Sequence, residues 1–255
     1  MAANLTTQGV SSSANEGLTT LAGKILDIQG GGGGGGGSTL FEDKCNSSSG
    51  LSNYGSSVLI RGSNATITMT YNSTENAYQV TGTGNYHAMV PIPDLDDEDE
   101  YTIEADIKGQ SQRFNAIGFY LDNRNDTTSY GDGFYIQTYD QKLVERQFRV
   151  SSDGTEHTTS VSLSASQYYH LKVTVDGTSL TGELYDGNTL IASLTNTVTI
   201  NNKQLGIFLF CENGSPNSVC YIKNIKAVKL GGGSDCTQYQ TEISNAIEYI
   251  NGSGS

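Results

Sequence analysis

Tyrosines, amides, carboxylates and one arginine gather near the middle of the chain in a pattern that could hold a sugar. The runs Ala116–Leu121 and Phe134–Tyr139 both alternate. If Ile117, Phe119 and Leu121 face a core, then Tyr120 and Asp122 face away from it; if Phe134, Ile136 and Thr138 face in, Tyr135, Gln137 and Tyr139 face out. Adjacent strands would set Tyr120, Tyr135, Gln137 and Tyr139 on one outer face, with Arg146 beside them and Asn123 and Asn125 in the following loop. Aromatic rings pack on sugar faces, while amide, carboxylate and guanidinium groups fix the hydroxyls. The same tyrosines would also stabilise neighbouring strands with no ligand at all. Asp122, Asp126 and Asp132 add hard oxygens of the type that calcium takes.

Other groups are less directed. Asp94–Glu100 carries six carboxylates in seven residues, with no glycine or asparagine to shape a cation loop, so it reads as a solvated turn. Glu104 and Asp106 share one face of a strand and form a carboxylate pair. His87, His157 and His170 fall in separate strands and read as surface residues rather than as bases. Cys45, Cys211, Cys220 and Cys236 do not have zinc-site spacing. Cys211 and Cys220 could face each other across a hairpin, or they could be two buried thiols.

The elements that must position these groups are strands. Ala65–Tyr71, Tyr101–Lys108 and Tyr169–Val175 alternate with period two. Further runs are Leu143–Val150, Leu180–Tyr185, Thr189–Leu194, Gln204–Cys211 and Val219–Leu230. Asp132-Gly133, Asp153-Gly154, Asp176-Gly177, Asp186-Gly187 and Asn213-Gly214 give turn signals between them. About a dozen strands without helices between them fit an all-β sandwich of two antiparallel sheets. The expected head spans residues 40–230 as one domain.

The ends differ. Residues 1–29 form an N-terminal module in which Leu18, Leu21, Ile25, Leu26 and Ile28 repeat with helical spacing. Such a short amphipathic helix cannot bury its stripe alone. Residues 30–39 are a linker containing eight consecutive glycines, with a reach of about 16 Å. Residues 231–255 repeat the plan, with a glycine link and a second short helix. A helix with an apolar stripe on a tether reads as an anchor that docks on something else.

Charge narrows the partners. Fourteen Lys and Arg against 27 Asp and Glu leave a net charge of −13, which excludes phosphate-reading surfaces and docking on anionic lipid. No apolar run is long enough to span a bilayer, and the first residues lack the basic and apolar regions of a secretory signal.

Two resemblances sharpen the expectation. Tyr168–Gly177 with Leu180–Gly187, and Gln204–Phe210 with the closing strand around Tyr221-Ile222-Lys223-Asn224-Ile225, resemble the late strands of concanavalin A-like jelly rolls of the laminin-G and glucanase branches. That resemblance implies an antiparallel jelly-roll β-sandwich, here with short flanking α-helices. The glucanase branch carries Glu-x-Asp-x-x-Glu on one strand, and Glu104 and Asp106 match the first two positions. Gly109 stands at the third, with Lys108 beside it, so the acid/base is missing and no enzyme activity is expected. The segments Asn4–Val10 and Glu16–Leu26 are similar to the leaders of phage and archaeal virus tail or fibre proteins.

Together these readings describe a non-enzymatic virion protein. It is made in the host cytoplasm, attached to other virion proteins through the N-terminal helix, assembled as a homo-oligomer of unspecified order, and displays a jelly-roll head to a host-surface glycan. No cofactor is required, and calcium is the one cation its loops suit. Two alternatives stay open: a free carbohydrate-binding module or degenerate glycosidase, and a capsid decoration protein without a ligand.

Overall fold

The computed structural model describes residues 38–92, 100–109, 116–122, 130–149, 153–197, 204–211 and 218–230. The anchor residues Leu18, Leu21, Ile25, Leu26 and Ile28, residues 30–37 of the first linker, residues 231–255 and most of the acidic run lie outside them, while Thr39, expected in the linker, opens the first strand. Among the described residues thirteen strands follow one another: β1 (Thr39–Asp43), β2 (Val58–Asn72), β3 (Ala77–Pro91), β4 (Glu100–Lys108), β5 (Ala116–Asp122), β6 (Tyr130–Gln137), β7 (Lys142–Arg149), β8 (Asp153–Ser160), β9 (Tyr169–Asp176), β10 (Ser179–Asp186), β11 (Thr189–Thr197), β12 (Gln204–Cys211) and β13 (Ser218–Lys229). A 3-10 turn, Ser48–Asn53, separates β1 from β2.

The long hairpin of β2 and β3 belongs to two sheets at once. Its distal half, Thr66–Asn72 against Ala77–Thr83, leads through β13, β4, β9 and β10 to β11, with β1 beside β13. Its proximal half, Val58–Ser63 against Asn85–Met89, leads through β12, β5, β6 and β7 to β8. Between the halves the register shifts, and Asn64 (φ 60) and Gly84 (φ 91) both take left-handed backbone. Asn tolerates that region and Gly adopts it freely. At Gly84 there is also no room for a side chain: a Cβ would stand 2.0 Å from the Asn64 carbonyl oxygen.

The two sheets pack face to face as an antiparallel sandwich. Strict alternation fills the first sheet's inner face with Ile103, Ala105, Ile107, Leu171, Val173, Val175, Leu180 and Leu184. Ile117, Phe119, Leu121, Phe134 and Ile136 of the second sheet join the same core. Gly182 of β10 makes room for Phe134 of β6, since a Cβ there would lie 2.2 Å from the ring. A half-buried carboxylate ties the entry strand down: Asp43 accepts hydrogen bonds from the hydroxyls of Tyr54 (3.1 Å) and Tyr78 (2.9 Å) and from the Cys45 amide (2.7 Å).

Several expectations are corrected. Asp132-Gly133 is not a turn but lies inside β6, where Asp132 and Gly133 pair with Leu121 and Tyr120 of β5. Asp153-Gly154 opens β8, a polar edge strand whose Thr, Glu, His and Ser residues carry no apolar alternation to announce it. Cys211 and Cys220 are not opposed across a hairpin. β12 and β13 run consecutively along the same edge of β3, where Cys211 pairs with Tyr86 and Cys220 with Val80. His87 is buried, not on the surface, because it sits on β3 between β2 and β12.

The crossing predicts a specific weakness. Gly84→Ala should destabilise the fold by more than about 2 kcal/mol, through backbone strain and the clash with Asn64. It should show as a lower urea midpoint with an unchanged slope, whereas wild-type stability would contradict the shared-strand account.

Candidate functional site

The two sheets differ in what they show to solvent. β5 and β6 are buried on both faces over their described side chains, whereas β4, β9 and β10 alternate buried and half-buried residues. The expected tyrosine platform lies on the second sheet. As the alternation implied, Tyr120 and Tyr135 point away from the main core, and they cluster with Ile60, Met89, Ala116 and Val144. They are not an open surface, however: Tyr120 is 2% exposed and Tyr135 0%. Gln137 is also buried, while Tyr139 stands exposed in the turn after β6. Arg146 is half-buried and paired with Glu156 of β8. Asn123, Asn125 and Asp126, and the side chains of Asp122 and Asp132, lie outside the described structure. Among the described residues no group of three His, Cys, Asp or Glu is placed to hold a metal ion.

The polar cluster that the fold does assemble lies on the outer face of the first sheet. Strand register lines Lys223, Asp106, His170 and Tyr185 across β13, β4, β9 and β10. One step along, it lines Lys226, Glu104, Lys172 and Glu183. Opposite charges therefore alternate from strand to strand, the arrangement that favours cross-strand pairs. Lys172 lies 3.4 Å from Glu183.

His170 is the centre of this face. Its Nδ1 is 3.0 Å from Asp106 Oδ1 and its Nε2 3.5 Å from Glu104 Oε2, so both ring nitrogens meet a carboxylate. Only the imidazolium can donate to both. The hydrogen bonds to Asp106 and then Glu104 outweigh partial burial and raise the His170 pKa to about 9. In return the His170 hydrogen bond holds Glu104 below the ordinary carboxylate value. Burial pushes Asp106 up, but hydrogen bonds from His170 and Asn224 and nearby positive charge leave it lowered.

The other oxygen of Asp106 accepts from the Asn224 side-chain amide at 2.7 Å. Asn224 is exposed, has left-handed backbone (φ 53), and sits where the β13–β4 register shifts. The Asn of the closing-strand motif is thus the residue that lets the strand bulge and reach Asp106. Beside it, Lys108 binds Glu75 at 2.6 Å and lies over the rings of Tyr221 (4.7 Å) and Tyr168 (5.1 Å). The Tyr168 hydroxyl also donates to Glu75, and the Lys223 ammonium lies 3.9 Å from the Tyr168 ring centre.

Chemically this face presents ionised acceptors, an amide and tyrosine hydroxyls. Strand alternation makes Lys108 the third outward residue after Glu104 and Asp106, and Gly109 is buried, with a Cβ there 2.7 Å from Thr138. No carboxyl group therefore stands at the third position of the Glu-x-Asp pattern. The sequence showed that Glu104 and Asp106 share a face and that His170 lies on a polar one. It did not show the β4–β9 register that joins them, because these strands are more than sixty residues apart and the pairing is set by the whole sheet.

The sign of the His170 shift gives a test. A raised folded-state pKa contributes stability fully below its ordinary value of 6.5 and loses it as pH rises through about 9. The lowered Glu104 and Asp106 act at the other end, losing their contribution as pH falls below their ordinary values of 4.5 and 3.8. The melting-temperature advantage of wild type over His170→Gln should persist near about pH 6 and disappear by about pH 10. A gap that does not change across that range would contradict the imidazolium bridge.

No protein-family model matches the chain, and no curated protein matches it in sequence. Solved structures do match its fold. A β-glucanase from Bacillus licheniformis matches with a TM-score of 0.52 and 11% identity, over 77% of this chain and 100% of that one. A legume lectin-like domain from Entamoeba histolytica has a TM-score of 0.52 and 14% identity, over 75% and 98%. A carbohydrate-binding module from Bacillus subtilis has a TM-score of 0.50 and 13% identity, over 69% and 98%. At these identities the likeness is one of fold: the described strands form a concanavalin A-like antiparallel jelly-roll sandwich.

Proposed function

We propose that the sandwich is a non-catalytic glycan-binding head whose ligand lies on the outer face of β13, β4, β9 and β10. The observation that carries this reading is the Glu104–His170–Asp106–Asn224 cluster. It holds two carboxylates and an amide in fixed positions on a face that solvent reaches, which suits hydroxyl recognition. Its electrostatics favour binding over hydrolysis. A glycosidase keeps one carboxyl protonated by a raised pKa, whereas Glu75, Glu104 and Asp106 are all lowered. The fold supports the reading in kind, since a carbohydrate-binding module, a lectin-like domain and a glucanase share it.

The apolar stripe of residues 18–28 and the polyglycine tether support a second element: the head is carried on a larger homo-oligomeric assembly such as a virion, with other virion proteins as partners of the N-terminal helix. In this reading the head faces a host surface.

The full chain, titrated against a glycan panel, should bind at least one oligosaccharide, release no reducing ends from β-glucans, and lose about tenfold or more in affinity on Asp106→Ala. Its solution mass should be a multiple of the 27.2 kDa chain. Reducing-end release would overturn the non-catalytic reading, absence of any bound glycan the binding reading, and a monomer the homo-oligomer.

A further inference from the structure

The bulge in β13 does more than aim Asn224. Ladder partners run from Lys223 opposite Asp106 to Lys226 opposite Glu104, so three residues of β13 span two of β4. In a regular strand, residues three apart point to opposite faces. The extra residue cancels that difference. Lys223 and Lys226 are both half-exposed, with exposed Asn224 between them, and Ile225 turns into the core.

These two lysines also differ in their partners from the others nearby. Lys44, Lys108 and Lys172 each have a carboxylate within 3.4 Å. Among the described residues, neither Lys223 nor Lys226 makes an ion pair. Glu75 and Asp106 face Lys223 electrostatically, and Glu42 and Glu104 face Lys226, but each of these acids has a closer hydrogen-bonded partner: Lys108, His170, Lys44 and His170 respectively. In a chain of net charge −13, this puts two cations on one face whose neighbouring carboxylates are each hydrogen-bonded to another partner. Their ladder positions are about two strand residues apart, roughly 6.6 Å, a gap that flexible lysine stems can close on one anion.

We propose that Lys223 and Lys226 form a carboxylate subsite that makes the face selective for acidic glycans, those built with uronic or sialic acids. The sugar's carboxylate would lie between the two ammonium groups, next to the Asn224 amide, while its hydroxyls reach the Glu104–Asp106 side. This deepens the glycan-binding reading and rests on it.

The test uses the full chain and matched probes: oligogalacturonide against its carboxyl-reduced form, and sialyllactose against lactose, each measured by calorimetry. In at least one pair the acidic member should bind about tenfold more tightly. In the double variant Lys223→Gln, Lys226→Gln the ratio should fall to about one, while Lys223→Arg, Lys226→Arg, which keeps the charge, should preserve it. Equal affinities within every pair that binds, or a preference that survives the Gln variant, would overturn the subsite while leaving glycan binding standing. If neither member of either pair binds, the subsite falls, and the wider glycan panel then decides the parent reading separately.

Discussion

The structure depends on one hairpin serving two sheets. β2 and β3 are each fifteen residues long, and they pass from one layer of the sandwich to the other at a point where Asn64 and Gly84 take left-handed backbone. Every other strand is placed by this crossing. β12 and β13 succeed each other along one edge of β3, and from them one layer continues through β4, β9, β10 and β11 and the other through β5, β6, β7 and β8. The crossing also sets where β13 enters its sheet, and therefore which residues of β4 it meets. The bulge at Asn224 follows from that entry, since beyond Ile222 the strand leaves β3 and continues between β4 and β1.

Much of the architecture was legible because alternation is local. Tyr101–Lys108 and Tyr169–Val175 read as half-buried strands and have that burial pattern. The same rule placed Ile117, Phe119, Phe134 and Ile136 in the core and turned Tyr120 and Tyr135 away from it. It failed on exposure, because pointing away from one core does not decide whether the other face is open. It failed again where patterns are broken: Gly82, Gly84 and Asn85 interrupt β3, and β8 has no apolar side to detect. His87 and His170 look alike in sequence, yet one is buried between strands and the other bridges two carboxylates. Alternation put His170 on a polar face, but its carboxylate partners come from register, which is a property of the assembled sheet.

The site has a consistent electrostatic logic. Alternating charges across β13, β4, β9 and β10 let an acidic protein keep carboxylates ionised and ordered on a half-exposed face. Fixed acceptors of this kind bind hydroxyls, whereas acid catalysis would need a neutral carboxyl that the imidazolium of His170 works against. Binding modules, lectin-like domains and glucanases share this fold, so the fold alone does not fix the function and the side chains of the site must decide it.

The most direct measurement is the map of amide chemical-shift changes as an isotope-labelled full chain is titrated with the tightest-binding oligosaccharide. The account predicts that the largest changes fall on Asp106, His170 and Asn224 and their neighbours on the first sheet's outer face. Changes centred instead on Tyr139 and the β6–β7 turn, with Asp106, His170 and Asn224 unmoved, would contradict it.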